Sequence, residues 1–201
     1  MRTIMVEKTL YQFHELPEDA KQYAISTYWG EDWDYESVFY DAKQIGKCMG
    51  IDIDDIYFCG FCSQGDGACF TGHYRYAKAG VKAVMEYAPQ DKELHRIAKE
   101  LQDIQRKYFY KLRSEIKHRG HYYHEMCMSI ETIHTDGDMN RYDCRGPSDD
   151  DENDIKEALR DFARWIYKRL EEQYRYETSE EAVLEACEAN GYEFDSKGRI
   201  V

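Results

Sequence analysis

Residues 56–76 read IYFCGFCSQGDGACFTGHYRY, and the reading of this stretch decides the fold. Residues 56–62 form a nearly continuous apolar run, short enough for a buried strand. Residues 68–76 alternate, with Ala68, Phe70, Tyr74 and Tyr76 on one parity and Cys69, Thr71, His73 and Arg75 on the other. Between them, Ser63-Gln64-Gly65-Asp66-Gly67 supplies the glycines and the short polar side chains of a tight turn with positive φ angles. The stretch predicts a β-hairpin.

Working outward, residues 114–135 return to a period of two. Ile116, His118, Tyr122, His124, Met126, Met128 and Ile130 share one parity, and Glu115, Lys117, Arg119, His121, Tyr123, Glu125 and Glu131 share the other. This predicts two strands, or one long one bent at Gly120. Residues 3–11 alternate as a further half-buried strand, and the chain ends in a small hairpin around Asp195-Ser196-Lys197-Gly198. Helical spacing fills the rest. Val38, Phe39, Ala42, Ile45 and Met49 form one stripe, closed by Gly50 as a left-handed cap. Leu94, Ile97, Ala98, Leu101, Ile104 and Tyr108 form the buried side of a helix over 91–112, after a short one that Pro89 breaks. Ile155, Leu159, Phe162, Ile166 and Leu170 form another, followed by a helix opened by Thr178 and Glu181 as a capping box and closed by Gly191. Residues 135–154, rich in Asp and turn formers, predict a mobile acidic loop. The expected fold is a single α+β domain over 1–201: an antiparallel sheet of four or five strands with helices packed mainly on one face.

Composition narrows the function classes. The chain is 42% hydrophobic and 33% charged with 18 tyrosines, the balance of an ordered globular protein. A net charge of −13 argues against direct contact with nucleic acid or an anionic membrane, since such binders neutralise phosphates with Lys and Arg. It favours a basic protein partner through steering, or serves solubility alone. No run of eighteen apolar residues and no apolar leader is present, and seven scattered cysteines do not form a secreted disulfide framework. The expectation is a soluble cytoplasmic protein with reduced thiols.

Each candidate site has a plainer alternative. Cys59 and Cys62 have a redox or zinc spacing, but residues three apart on a strand point to opposite faces, and no helix start follows them. The glycine loop lacks the Lys-Ser/Thr sequel and the helix of a phosphate loop. Ser63, Asp66 and His73 form the catalytic alternative, an enzyme acting on a small molecule or nucleotide, although no Gly-x-Ser-x-Gly elbow surrounds Ser63. The histidines at 118, 121, 124 and 134 do not share one parity, and the Asp runs at 52–55 and 149–151 do not follow a calcium loop, so neither a metal nor a cofactor is expected. The binding candidates are Gln64 and Asp66 at the hairpin tip. With them stand His73, Arg75, His121, Tyr123 and Glu125, on the parity that the helices are expected to leave open.

The blocks DIYFCGFCSQGDGACFTGHYRY, LHRIAKELQDIQRKYF and LRDFARWIYKRLEEQYRYETSEEAV make nearly the whole chain resemble a family of small acidic bacteriophage and prophage proteins, loosely labelled antitoxins of toxin-antitoxin stability systems. The shared core is SQGDGACF, Ser63 to Phe70, and the positions of Cys59 and Cys62 are not reliably cysteine in the family. The resemblance implies a role as an inhibitor of host defence, one that binds a defence protein, occupies a nucleic-acid channel or removes a signalling molecule, and the leading expectation is a non-enzymatic binding protein that neutralises a host toxin, nuclease or other defence effector.

Overall fold

The computed structural model describes residues 7–27, 35–135 and 147–201. In chain order the elements are α1 (Glu18–Thr27), α2 (Glu36–Met49), β1 (Ile51–Cys59), β2 (Gly67–Arg75), α3 (Gly80–Tyr87), α4 (Lys92–Lys107), β3 (Leu112–His118), β4 (Met128–His134), α5 (Asp149–Glu177) and α6 (Glu180–Asn190), with short 3-10 turns at Phe13–Glu15 and Glu125–Cys127. The four strands form one antiparallel sheet in the order β1-β2-β3-β4, and the fold is α+β. The chain divides into two compact units, Tyr35–Glu171 and a smaller one built from the two chain ends.

In the larger unit the strand alternation has one consequence after another. Ile51 and Ile53 of β1, Phe70 and Tyr74 of β2, Leu112 and Ile116 of β3, and Met128 and Ile130 of β4 are all buried in one core with α2, α4 and α5. The predicted helix stripes meet them there: Leu94, Ile97, Leu101 and Ile104 from α4, and Ile155, Leu159, Phe162 and Ile166 from α5. Phe70 meets Phe162 edge to face, with ring centroids 5.8 Å apart. The sheet's other face carries Asp52, His73, Arg75, Arg113, Glu115, Lys117, Glu131 and Ile133, all exposed. This is the two-sided pattern of an antiparallel sheet whose helices pack on one side.

Polar groups inside the core are paired, as burial demands. The fully buried Gln105 donates from Nε2 to the Leu112 carbonyl (2.9 Å) and accepts the Leu112 N–H at Oε1 (3.1 Å). Ser114 and Thr132 share a hydrogen bond of 2.8 Å, and the Tyr74 hydroxyl donates to the Leu101 carbonyl at 3.3 Å. Gly50 closes α2 at φ 85°, and a Cβ there would stand 1.9 Å from the Arg75 carbonyl oxygen, so glycine is required both for conformation and for space.

The smaller unit has its own core of Phe13, Leu16, Ala20, Ala24, Val183, Cys187 and Phe194. Tyr11 and Phe194 exchange backbone bonds of 2.8 Å, and Phe194 also bridges Ile200, which is the small terminal hairpin.

Several boundaries differ from the sequence reading. The strand expected over 3–11 falls partly outside the described residues, and residues 7–10 are not strand. The helix expected to reach 112 stops at Lys107, because Phe109 and Tyr110 turn through the left-handed region (φ 55° and 61°) before β3. β1 starts at Ile51, with an irregularity between Ile53 and Ile56 that hides its alternation. The loop expected over 135–154 is helical from Asp149, and its residues 136–146 lie outside the described residues. Ser148 braces the start of that helix, its Oγ accepting the Asp151 N–H at 3.2 Å, while α6 is capped by Ser179 rather than by Thr178.

Asp91 joins two helices. One carboxylate oxygen caps α4 by accepting the N–H groups of Glu93 (3.1 Å) and Leu94 (3.0 Å), and the other accepts the Trp165 indole N–H of α5 at 2.7 Å. Partial burial works to raise its pKa, but the bonds from Leu94, Trp165 and Glu93, with the Arg169 charge, outweigh it and hold the carboxyl below its ordinary value. A depressed carboxyl stabilises the fold above its unfolded pKa of about 3.9 and loses that contribution as pH falls through the lower folded value. Asp91→Ala is therefore expected to cost about 2 kcal/mol or more near neutral pH, from the lost cap and the unpaired indole. Urea unfolding should show the gap to wild type narrowing below about pH 4. A gap that stays constant down to pH 2 would contradict this role.

Candidate functional site

The hairpin tip is braced from within. Asp66 accepts the N–H groups of Cys62 (2.9 Å) and Ser63 (2.6 Å) on one carboxylate oxygen, and its own N–H donates to the Ser63 carbonyl at 3.2 Å. Gly60, at φ 36°, lies under that carboxylate, where a Cβ would come within 2.7 Å of it. The tip is tied to α5 by the Tyr167 hydroxyl, which donates to the Gly60 carbonyl at 3.1 Å, and by Phe61 stacked on Tyr167 at 5.6 Å. Asp66 thus spends its charge on the turn, while Gln64 and Ser63 stand exposed beside it.

The catalytic alternative is not brought together. His73 lies on β2 opposite Asp52 and Glu115, seven residues beyond Asp66 and so roughly 20 Å along the strand. Ser63 and Asp66 belong to the tip, and His73 belongs to the middle of the sheet.

Residues 119–127 do not continue the strand alternation. Gly120 turns the chain at φ 104°, and the loop is closed by the Arg119 N–H on the Cys127 carbonyl (2.8 Å), directly after the last β3–β4 rung between His118 and Met128. His121 and Tyr123 are consequently loop residues and Glu125 opens the 3-10 turn, so the three are not members of one strand face. Tyr123 stacks on Tyr57 at 5.3 Å, with His118 against both rings. Glu125 is engaged by Arg164 of α5 (Nε to Oε1, 2.9 Å) with its side chain only 13% exposed. His121 is exposed, its ring edge-on to Tyr122.

Cys59, Cys62 and Cys69 belong to this end of the sheet. β1 ends at Cys59, not at Cys62, so the expected opposite-face relation does not apply: Cys59 is a strand residue and Cys62 a turn residue. Cys69 stands opposite Tyr57 and is 1% exposed. Burial, with the neighbouring Cys127 and Cys59 thiols, pushes its pKa up to about 12. That is the setting of an inert packing cysteine rather than of a nucleophile. Among the described residues no group of three or more His, Cys, Asp or Glu side chains could hold a metal ion.

At the opposite end the face stays uncovered. Arg75 and Arg113 are direct partners across β2 and β3, and Arg113 is in turn the partner of Ile133, which is 55% exposed. The next row is Asp52, His73, Glu115 and Glu131. A shallow depression of about 570 Å³ is lined by Lys47, Asp52, Arg75 and Tyr76. Another of about 340 Å³, lined by Asp52, His73, Arg75 and Arg113, shares Asp52 and Arg75 with it. Of the candidates read from the sequence, His73 and Arg75 come together here; Gln64 and Asp66 stay at the tip, and His121, Tyr123 and Glu125 stay in the loop. Arg113, Lys47 and Ile133 are not among those candidates. The signal for Arg113 is its odd parity beside Leu112, legible only once β3 is started two residues earlier than Ser114.

Iodoacetamide at about pH 8 is expected to modify exposed Cys62 in the native protein and to leave Cys69 unmodified until denaturant is added, since only a thiolate reacts. Peptide mass spectrometry separates the two sites. Equal rates would show that the Tyr57 and Tyr123 end of the sheet is open.

Among the described residues no helix is long and apolar enough to cross a membrane. No curated protein and no solved structure matches the chain. One family model does, over residues 33–180, a span that contains the whole of the larger unit and its sheet. The chain therefore belongs to the family described as a domain of unknown function, DUF8835.

Proposed function

We propose that this is a non-enzymatic binding protein, carried by a bacteriophage or prophage, that neutralises a host toxin or defence factor by docking it on the open face of the sheet. The observation that carries the reading is the uncovered end of that face, where Arg75 and Arg113 stand side by side next to exposed Ile133. Like charges placed directly opposite on a sheet destabilise it, and Arg with an adjacent apolar contact is a common centre of binding energy. A fold that keeps such a pair on its surface gains from something that lands there. The dispersal of Ser63, Asp66 and His73 along the hairpin weighs against the enzymatic alternative. The net charge of −13 supports a partner that is basic overall, drawn in by the field of the whole molecule.

Affinity capture from host cells with tagged wild type, Arg75→Ala and Gln64→Ala tests it. The account expects a specific partner whose recovery falls at least tenfold with Arg75→Ala, at a melting temperature no lower than that of wild type, and stays near wild type with Gln64→Ala. Recovery should also fall as salt rises from about 0.1 to 0.5 M, because screening shortens the reach of the charges. A partner lost with Gln64→Ala and kept with Arg75→Ala would place the function at the hairpin tip instead.

A further inference from the structure

We infer that Arg75 and Arg113 together clamp a carboxylate presented by the protein partner, an acidic side chain that fixes the partner's register on the open face. The inference rests on the binding reading above and names the chemistry of its anchor.

The two guanidinium groups start from one rung of the sheet. Arg75 and Arg113 are partners in the β2–β3 register, so their Cβ atoms lie about 5 Å apart. The neighbouring cations along β3 have acids of their own: Lys117 of this face is held by Glu115 at 2.8 Å, and Arg119, just past the strand end, by Glu131 at 3.4 Å. Among the described residues neither Arg75 nor Arg113 makes an ion pair or a side-chain hydrogen bond, in a chain with 40 acidic residues against 27 Lys and Arg. The shortage is local, because Glu115 is already engaged by Lys117 and Asp52 stands one row away, opposite His73.

The base under the pair is firm. The Arg75 N–H donates to the Gly50 carbonyl at 2.9 Å, and the neighbours Tyr74 and Ser114 are buried and hydrogen-bonded. Two forks rising from a rigid rung can take both oxygens of one carboxylate, the geometry in which Arg is strongest. Ile133 beside Arg113 then offers an apolar contact to the stem of an incoming Asp or Glu. The two depressions that Arg75 lines leave room for the segment that carries it.

A single negative charge fits better than a double one. Asp52 lines both depressions with Arg75, and its carboxylate opposes a phosphate, which carries more than one charge on average at neutral pH. The other titratable groups that line the two depressions are His73, Lys47, Tyr74 and Tyr76.

The test is a nitrogen-15 NMR titration of the full chain with N-acetyl-glutamate methylamide, the matching glutamine compound and inorganic phosphate, each at constant ionic strength. The expected result is a saturable shift of the Arg75 and Arg113 Nε–H resonances with the glutamate compound at millimolar concentrations, and none with glutamine. Arg113→Gln should weaken it at least tenfold and Arg119→Gln should leave it unchanged; Arg75→Lys serves in place of Arg113→Gln if that variant does not fold. A non-saturating response, an equal response to glutamine, or tighter binding of phosphate than of glutamate overturns the inference. If the carboxylate fails to bind while Arg75→Ala still abolishes partner capture, this clamp is wrong and the docking face stands; if it binds while capture is indifferent to Arg75, the docking reading falls instead.

Discussion

The structure depends on a buried amide. Gln105 is wholly enclosed, and both ends of its side chain are spent on one residue, the N–H and carbonyl of Leu112. An amide buried without partners costs several kcal/mol, so β3 can lie against α4 in one register only. Shifting β3 by a single residue would leave both amide atoms unpaired and turn Leu112, Ser114 and Ile116 out of the core. The Ser114–Thr132 bond repeats the condition between β3 and β4, and the Tyr74 hydroxyl on Leu101 repeats it between β2 and α4. With Leu112 held inward, Arg113 must point outward, and the β2–β3 pairing then sets it beside Arg75. The surface feature follows from a constraint in the core.

Much of this architecture is legible in the residues themselves. The alternation from Ala68 to Tyr76 and the spacing of Leu94, Ile97, Leu101 and Ile104 are direct records of which side chains must leave water. Boundaries are harder wherever polar residues interrupt a period. Asp52, Asp54 and Asp55 in β1 are exposed strand residues around an irregularity, and they look like a loop when read alone. The acids of 149–152 also look like a loop, yet acids favour the first turn of a helix, and Ser148 with Asp151 three residues on carries a capping signal that a loop reading passes over. Nothing local announces that Phe109 and Tyr110 adopt left-handed backbone, because bulky residues seldom do.

The site is legible only in part, for a different reason. Strand parity places His73 and Arg75 on the outer face, but parity is lost wherever the chain stops being a strand, and Gly120 ends it for His121, Tyr123 and Glu125. Which charges pair is a matter of the folded surface: Glu125 finds Arg164, thirty-nine residues away, whereas Arg113 finds no acid among the described residues. Cys59 and Cys62 illustrate the converse. Their spacing suggests joint chemistry, and the fold assigns one to a strand and the other to a turn braced by Asp66.

The central claim is that the open face near Arg75 and Arg113 is where this protein meets its partner. Hydroxyl-radical footprinting of the free protein and of its complex with the captured partner tests it directly, because Ile133 and His73 report on that face from side chains the radical can reach. The account predicts that both become protected in the complex, while the exposed Tyr40 of α2 and the hairpin-tip residues stay as reactive as in the free protein. Protection of Tyr40 or of the tip, with Ile133 and His73 unchanged, would contradict it.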